Sequence, residues 1–431
     1  MGFASVYLEE RTLFPRIINE APDEGTGIIV VVPACNEPGI NKMLDSLAKC
    51  REPACKTEVI IVINAPENCT RECVENNIQS LNNIERWKNE NKNCFFRLFC
   101  FNVGQPLIKG WGVGLARKTG MDEAIRRFNS INRTDGVILN LDADCTVDQN
   151  YFVEVGNELL KKSGRSACSI YFEHPLADST FSESIIRYIT LYELYLRYYF
   201  QGLAYSGFPY VFHTVGSALA VKALPYIKAG GMNRRQAGED FYFIQKLVPA
   251  GGYFSLNSTT VYPSPRVSSR VPFGTGASIT KLNADKSSTL STYNFLAFRE
   301  LRIFFGMIVV FYECSSRGLQ AQFSSIPQGL RMFLNETEWV EKMMEIKNNT
   351  SGLLSFKKRF FEWFNMFRIV KYLNYVHTDF FEKKDIHESA SELLETKGII
   401  LGSAKPLHLL LFYREMEKNN QIKLTEAMRA E

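Results

Sequence analysis

Two acids one residue apart, Asp142 and Asp144, close the stretch VILNLDAD. Ahead of them Val137, Ile138, Leu139 and Leu141 form an almost continuous apolar run, the pattern of a strand covered on both faces. Such a strand can carry charge only where it ends. Two carboxylates flanking the small Ala143 at that end could share a divalent cation and a phosphorylated ligand. A strand that merely stops in a polar turn would use the same residues, because Asp favours turns through local hydrogen bonding. What decides between them is which other residues the fold brings to the same place.

The elements that would do this alternate along the chain. Ile28 to Val32 is a β-branched strand ended by Pro33, Val59 to Ile63 is a second, ending at Asn64, and CFFRLFCF is a third. Between them NKMLDSLAKC has helical spacing at Met43, Leu44 and Leu47, residues 70–92 read as a polar helix, and GLARKTGMDEAIRRF reads as a helix entered through a Gly-rich loop. SACSIYFEH is a further strand, SESIIRYITLYELYLRYYFQGL a Tyr-rich helix, and GEDFYFIQKL a helix opened by acids. This alternation predicts an α/β fold with a mainly parallel sheet flanked by helices. Ligands of such sheets bind outside the carboxyl ends of the strands. Asn36, Glu37, Asn64, Asp142 and Asp144 all fall at or just after those ends. From about residue 281 the chain is helical and aromatic without strand alternation. The expected division is a lead (1–26), an α/β domain (27–280) and a helical C-terminal domain (281–431).

A chain of 431 residues with 45% hydrophobic content can build a sizeable core, and a formal charge of +4 argues against a nucleic-acid binder. Ten cysteines are dispersed beside apolar residues, as expected of reduced, buried thiols in a cytoplasmic protein. Cys50, Cys55, Cys69 and Cys73 lack a C-x2-C pair, which speaks against zinc. No signal-peptide core and no apolar run of ~18 residues is present. The nearest, IFFGMIVVFY (Ile303 to Tyr312), reads as a buried helix.

VVPACNE, GLARKTGMDEA, LNLDADC, GSALAVKALPYIKAGGM and AGEDFYFIQKL occur in the order found in family 2 glycosyltransferases of the GT-A fold. The resemblance spans about Gly27 to Gly276. It implies transfer of a sugar from a nucleotide-sugar donor, a UDP- or GDP-sugar, to a carbohydrate or lipid-linked acceptor, with inversion. By this resemblance Asp144 would ligate Mn2+ or Mg2+, with Asp142 toward the ribose and Ala143 between them. Pro33, Ala34, Asn36 and Glu37 would surround the nucleoside. Asn64 stands where the family often has an acid near the base. Arg117 would lie along the donor cleft. Asp240 would take the proton from the acceptor hydroxyl, and Glu239 would orient the acceptor.

One departure concerns the metal. Many relatives carry a His after the next strand, but TTVYPSPRVSSRVPFGTGAS has none and offers Arg266 and Arg270, which suit a pyrophosphate. His174 and His213 are candidate substitutes for that ligand, although a lone His near an apolar strand is more often structural. A dinucleotide fingerprint in KGWGVGLARKTG lacks its preceding strand. A sugar-nucleotidyltransferase should show a Gly-rich basic loop after the first strand, where this chain has Ala34-Cys35-Asn36-Glu37; a non-catalytic module of the same fold is the other alternative. The stretch 353–376 has two readings: burial in a helical domain, or peripheral contact with the inner membrane face.

Overall fold

The β-branched run near the N-terminus is the middle of a sheet. In the computed structural model, which describes residues 2–65, 69–103, 112–235, 238–267, 274–285, 289–402 and 404–419, β1 (Thr26–Ala34) is buried along its whole length. It pairs in parallel with β2 (Lys56–Ile63) and β4 (Val137–Asn140), and β2 pairs in parallel with β3 (Phe96–Asn102). With β5 (Thr146–Val147), β6 (Ala167–Phe172), β7 (Leu219–Lys222) and β8 (Tyr253–Tyr262), the eight strands lie in the order β3-β2-β1-β4-β7-β6-β8-β5. β7 runs antiparallel to both β4 and β6, and β5 antiparallel to β8. The result is the expected α/β architecture, a mixed and mostly parallel sheet flanked by helices. The short antiparallel inserts are its departure from the plain βαβ pattern.

The helices on this sheet are α1 (Ser5–Glu10), α2 (Asn41–Ala48), α3 (Arg71–Glu90), α4 (Val113–Ser130), α5 (Tyr151–Val155), α6 (Glu183–Ser206), α7 (Ala223–Lys228) and α8 (Glu239–Leu247), with α6 the exception described below. Thr70 caps α3, its hydroxyl accepting from Cys73 N. α4 lies directly on β1 and β2: a Cβ on Gly120 would stand 2.5 Å from Val31 Cγ1 and 2.9 Å from Val62 Cγ2. Its other side is covered by the N-terminal lead. Tyr7 donates to Asp122 (2.7 Å), and Glu123 accepts from Ile17 N and Ile18 N at 3.2 and 3.1 Å. Arg127 donates to Glu58 of β2 at 2.6 Å. The charged Asp122, Glu123 and Arg127 of α4 are therefore buried and paired.

The chain forms two compact units, Met1–Ser182 with Phe212–Thr280, and Glu183–Val211 with Lys281–Glu431. α6, inside the stretch expected for the α/β domain, thus packs with the C-terminal helices. Its buried Glu193 accepts from Arg197 and from Arg414 of the helix Pro406–Lys418, at 2.7 and 2.6 Å for the Nη2 groups. Arg197 also pairs with Glu417. The stretch 353–376 is two helices, Leu353–Trp363 and Met366–Asp379, the second capped by Asn365. Phe356, Phe360, Phe364, Ile369, Tyr372 and Leu373 are all buried in this unit. IFFGMIVVFY is not one buried helix: it breaks at Met307 between Phe295–Gly306 and Ile308–Glu313, and Ile303, Val309 and Val310 are exposed. A short antiparallel pair, Ser291–Thr292 with Lys384–Asp385, adds strand where none was expected. No described helix is long and apolar enough to cross a membrane.

Candidate functional site

β4 delivers its acids by running out of sheet. Leu141 N still donates to Val31 O at 3.1 Å, and the chain then turns, Cys145 N donating to Asp142 O at 3.0 Å. Asp142 and Asp144 are partly exposed, whereas Ala143 between them is buried. Each acid has an arginine partner. Arg117, near the start of α4, is only 3% exposed and donates Nη2 to Asp142 Oδ1 at 2.6 Å and Nη1 to Glu239. Arg266, just beyond β8, donates Nε to Asp144 Oδ2 at 2.9 Å and Nη2 to Glu37.

Glu239 and Asp240 open α8, where the helix dipole favours negative charge. Phe241 N donates to Asp240 Oδ1 at 2.7 Å, and Asn233 Nδ2 holds the Glu239 carbonyl at 2.9 Å. The turn before β7 presses against this pair. A Cβ on Gly216 would meet Arg117 Nη1 at 2.7 Å and Asp240 Oδ2 at 3.0 Å, so only glycine leaves the guanidinium and the carboxylate in place.

The residues after β1 are fixed from α3. Asn36 adopts φ +55°, a conformation that Asn tolerates better than most side chains. Its N–H donates to Asn77 Oδ1 (2.8 Å), its Oδ1 accepts from Asn76 (2.6 Å), and Ser80 donates to the Glu37 carbonyl (2.8 Å). Asn77 Nδ2 also donates to the carbonyl of buried Asn64, whose N–H donates to Ala34 O at 2.9 Å. Pro33 and Ala34 are the buried last residues of β1.

Burial is the main electrostatic force on the acid pair. It raises Glu239 to about 7; the neighbouring Asp240 adds to the rise and Arg117 opposes it. Asp240 is also raised, first by burial, with Arg117 opposing and Asp142 adding. A carboxyl poised near neutrality can hold or accept a proton at physiological pH.

The fold thus brings Glu37, Arg117, Asp142, Asp144, Glu239, Asp240 and Arg266 to one end of the sheet. Arg117 is not spread along an open cleft but is buried between two acids. His174 and His213 set their rings against Phe172 at the end of β6. Arg270 lies outside the described residues. Sequence reading passed over Asn76, Asn77 and Ser80, whose spacing on one face of a polar helix was the available signal, and Gly216, which carries none. None of the ten cysteines is in a disulfide. Among the described residues no group of three His, Cys, Asp or Glu side chains is arranged to hold a metal by itself.

No protein-family model matches the chain, and no curated protein matches it. Among solved structures it is similar to S. aureus TarS in complex with UDP-GlcNAc, at 15% identity and a TM-score of 0.38, over 94% of this chain and 91% of that one. It is similar at 14% identity and a TM-score of 0.36 to the mannosyltransferase PcManGT from Pyrobaculum calidifontis in complex with GDP-Man and Mn2+, over 96% and 92%. A third similar structure is glucosyl-3-phosphoglycerate synthase from Mycobacterium tuberculosis with Mn2+, UDP and phosphoglyceric acid, at 14% identity and a TM-score of 0.33, over 62% and 83%. Identities and scores at this level describe a loose likeness of layout.

Proposed function

We propose that this chain is a nucleotide-sugar-dependent glycosyltransferase that acts with inversion on a carbohydrate or glycolipid acceptor. One observation carries the reading. The buried Arg117 ties Asp142, at the end of β4, to Glu239 of the acid pair that opens α8. Groups suited to a diphosphate and its counter-cation and groups suited to proton transfer therefore share one site.

The roles follow from position and environment. Asn36, Glu37 and Asn64, fixed through α3, border the nucleoside of a UDP- or GDP-sugar. Asp240, the second acid of the pair, takes the proton of the acceptor hydroxyl as its oxygen attacks the anomeric carbon. Glu239, locked by Arg117, orients the acceptor and the base. Gly216 lets the arginine and Asp240 approach.

The residues present suit a divalent cation. Glu37, Asp142 and Asp144 alone outnumber the guanidiniums of Arg117 and Arg266, so this end of the sheet holds surplus negative charge even with Glu239 and Asp240 protonated. Asp144 and Asp142 would hold Mg2+ or Mn2+ through hard oxygen ligands, the other positions falling to phosphate oxygens and water. When bound, the ion offsets the charge that builds on the departing diphosphate.

Thermal-shift titration with UDP, GDP, CDP and TDP, each with and without Mn2+, tests this reading. A shift with one nucleotide, enlarged by Mn2+ and lost in Asp144→Asn, is expected. Absence of a shift with all four, with and without the ion, would refute it.

A further inference from the structure

The contact that a cation would make with Asp144 is already taken. Arg266 donates Nε to Asp144 Oδ2 at 2.9 Å while its Nη2 holds Glu37. Glu37 is 6% exposed and needs a positive partner there, because a buried carboxylate without one is costly. Asp144 and Arg266 are 23% and 30% exposed, so this contact lies at the open side of the site. A divalent ion cannot use Asp144 Oδ2 while the guanidinium is on it. An ion arriving alone must therefore break a charge-assisted hydrogen bond and place its charge beside an arginine left with Glu37 but stripped of Asp144. An ion arriving with a diphosphate meets a different situation. The phosphate oxygens match the planar fork of the guanidinium, so Arg266 can pass from carboxylate to phosphate and keep its charge paired.

We propose that Arg266 is the internal counter-cation of this site. It occupies Asp144 in the donor-free protein and surrenders it only to a cation and diphosphate together, so that the two bind as a coupled pair and free metal binds poorly. This deepens the donor-site reading above and rests on it.

The test is Mn2+ binding followed by electron paramagnetic resonance, with and without UDP or GDP, corrected for the Mn2+ that the free nucleotide holds. The proteins are wild type, Arg266→Gln and Arg266→Lys, with melting temperatures recorded for each. Wild type should bind Mn2+ at least tenfold more tightly when nucleotide is present. Arg266→Gln should bind Mn2+ alone several-fold more tightly than wild type and lose most of that coupling. Arg266→Lys, which keeps the charge and the Glu37 partner but not the fork, should bind free Mn2+ as poorly as wild type and show reduced coupling; it carries the test if Arg266→Gln melts far below wild type. Equal Mn2+ affinity with and without nucleotide in wild type, or no gain for Mn2+ alone in a folded Arg266→Gln, would overturn the proposal. If nucleotide still raises the melting temperature in that case, the inference about Arg266 falls alone. If no nucleotide does so, with or without Mn2+, the donor-site reading falls and takes the inference with it.

Discussion

Asp142 and Glu239, which follow different strands of the sheet, share one guanidinium: Arg117 donates to Asp142 at 2.6 Å and to Glu239 from its other Nη group. The arginine and Glu239 are almost fully buried, while Asp142 reaches solvent. This makes the link unequal. Loss of Arg117 harms Glu239 more than Asp142, because only the former is left without water to replace the partner.

Arg117→Ala should therefore destabilise the protein by about 3–5 kcal/mol, the range for breaking a buried pair from one side. It should also move the titration of Glu239, and of the base Asp240, further upward, since the group that opposes both burial shifts is gone. Urea unfolding at several pH values measures the first effect. The acid limb of the kcat/KM profile measures the second, and an unchanged limb would contradict the electrostatic assignment.

Asp240→Asn should lower kcat by roughly 10²–10⁴, the span for loss of a positioned base, with nucleotide binding retained. In the wild type, activity should fall toward acid pH, because burial raises the Asp240 carboxyl above the ordinary Asp range and its protonation removes the base form. A profile that falls no earlier than an ordinary Asp carboxyl would require would exclude Asp240 as the proton acceptor.

Glu239 also makes a stability prediction of definite sign. Its folded-state value, about 7, lies above that of an unfolded Glu, about 4.3. The contribution is thus fully present below the unfolded value and is lost as pH rises through the folded one. Glu239→Gln, which stays neutral, should gain in melting temperature relative to wild type between pH 5 and pH 8. A relative loss over that interval would show that the pair with Arg117 outweighs burial.

Gly216→Ala places a methyl group 2.7 Å from Arg117 Nη1 and 3.0 Å from Asp240 Oδ2. Displacement of both groups should reduce kcat at least tenfold. Parallel melting and turnover measurements check it, and full activity would mean that the turn yields without disturbing the acids.

The parts of this arrangement that the sequence disclosed are those set by local pattern. β1, β2 and β4 announce themselves as β-branched runs, and the acids at the end of β4 are conspicuous because an apolar strand has nowhere else to put charge. The undisclosed parts depend on distant partners. The charges of α4 look solvated until the lead Ile17–Ile18 and Tyr7 are seen covering them. Arg117 reads as a donor contact until Glu239 is brought to it. β8, with polar Asn257, Ser258, Thr259 and Thr260 in its middle, lacks the apolar run that marked the others. α6 has the same aromatic helical pattern whichever unit receives it, and its destination is written in Arg414 and Glu417, more than two hundred residues away.

That last pairing has a consequence for how the protein is made. Glu193 and Arg197 leave the ribosome long before the helix Pro406–Lys418, yet Arg414 and Glu417 complete their buried charge network. The strands β7 and β8, which finish the sheet, are synthesised in between. During translation the sheet can therefore close while α6 still waits for its partners, its charges kept in water. The charge network of α6 is completed by the helix Pro406–Lys418, and a chain interrupted before that helix would leave Glu193 and Arg197 without Arg414 and Glu417.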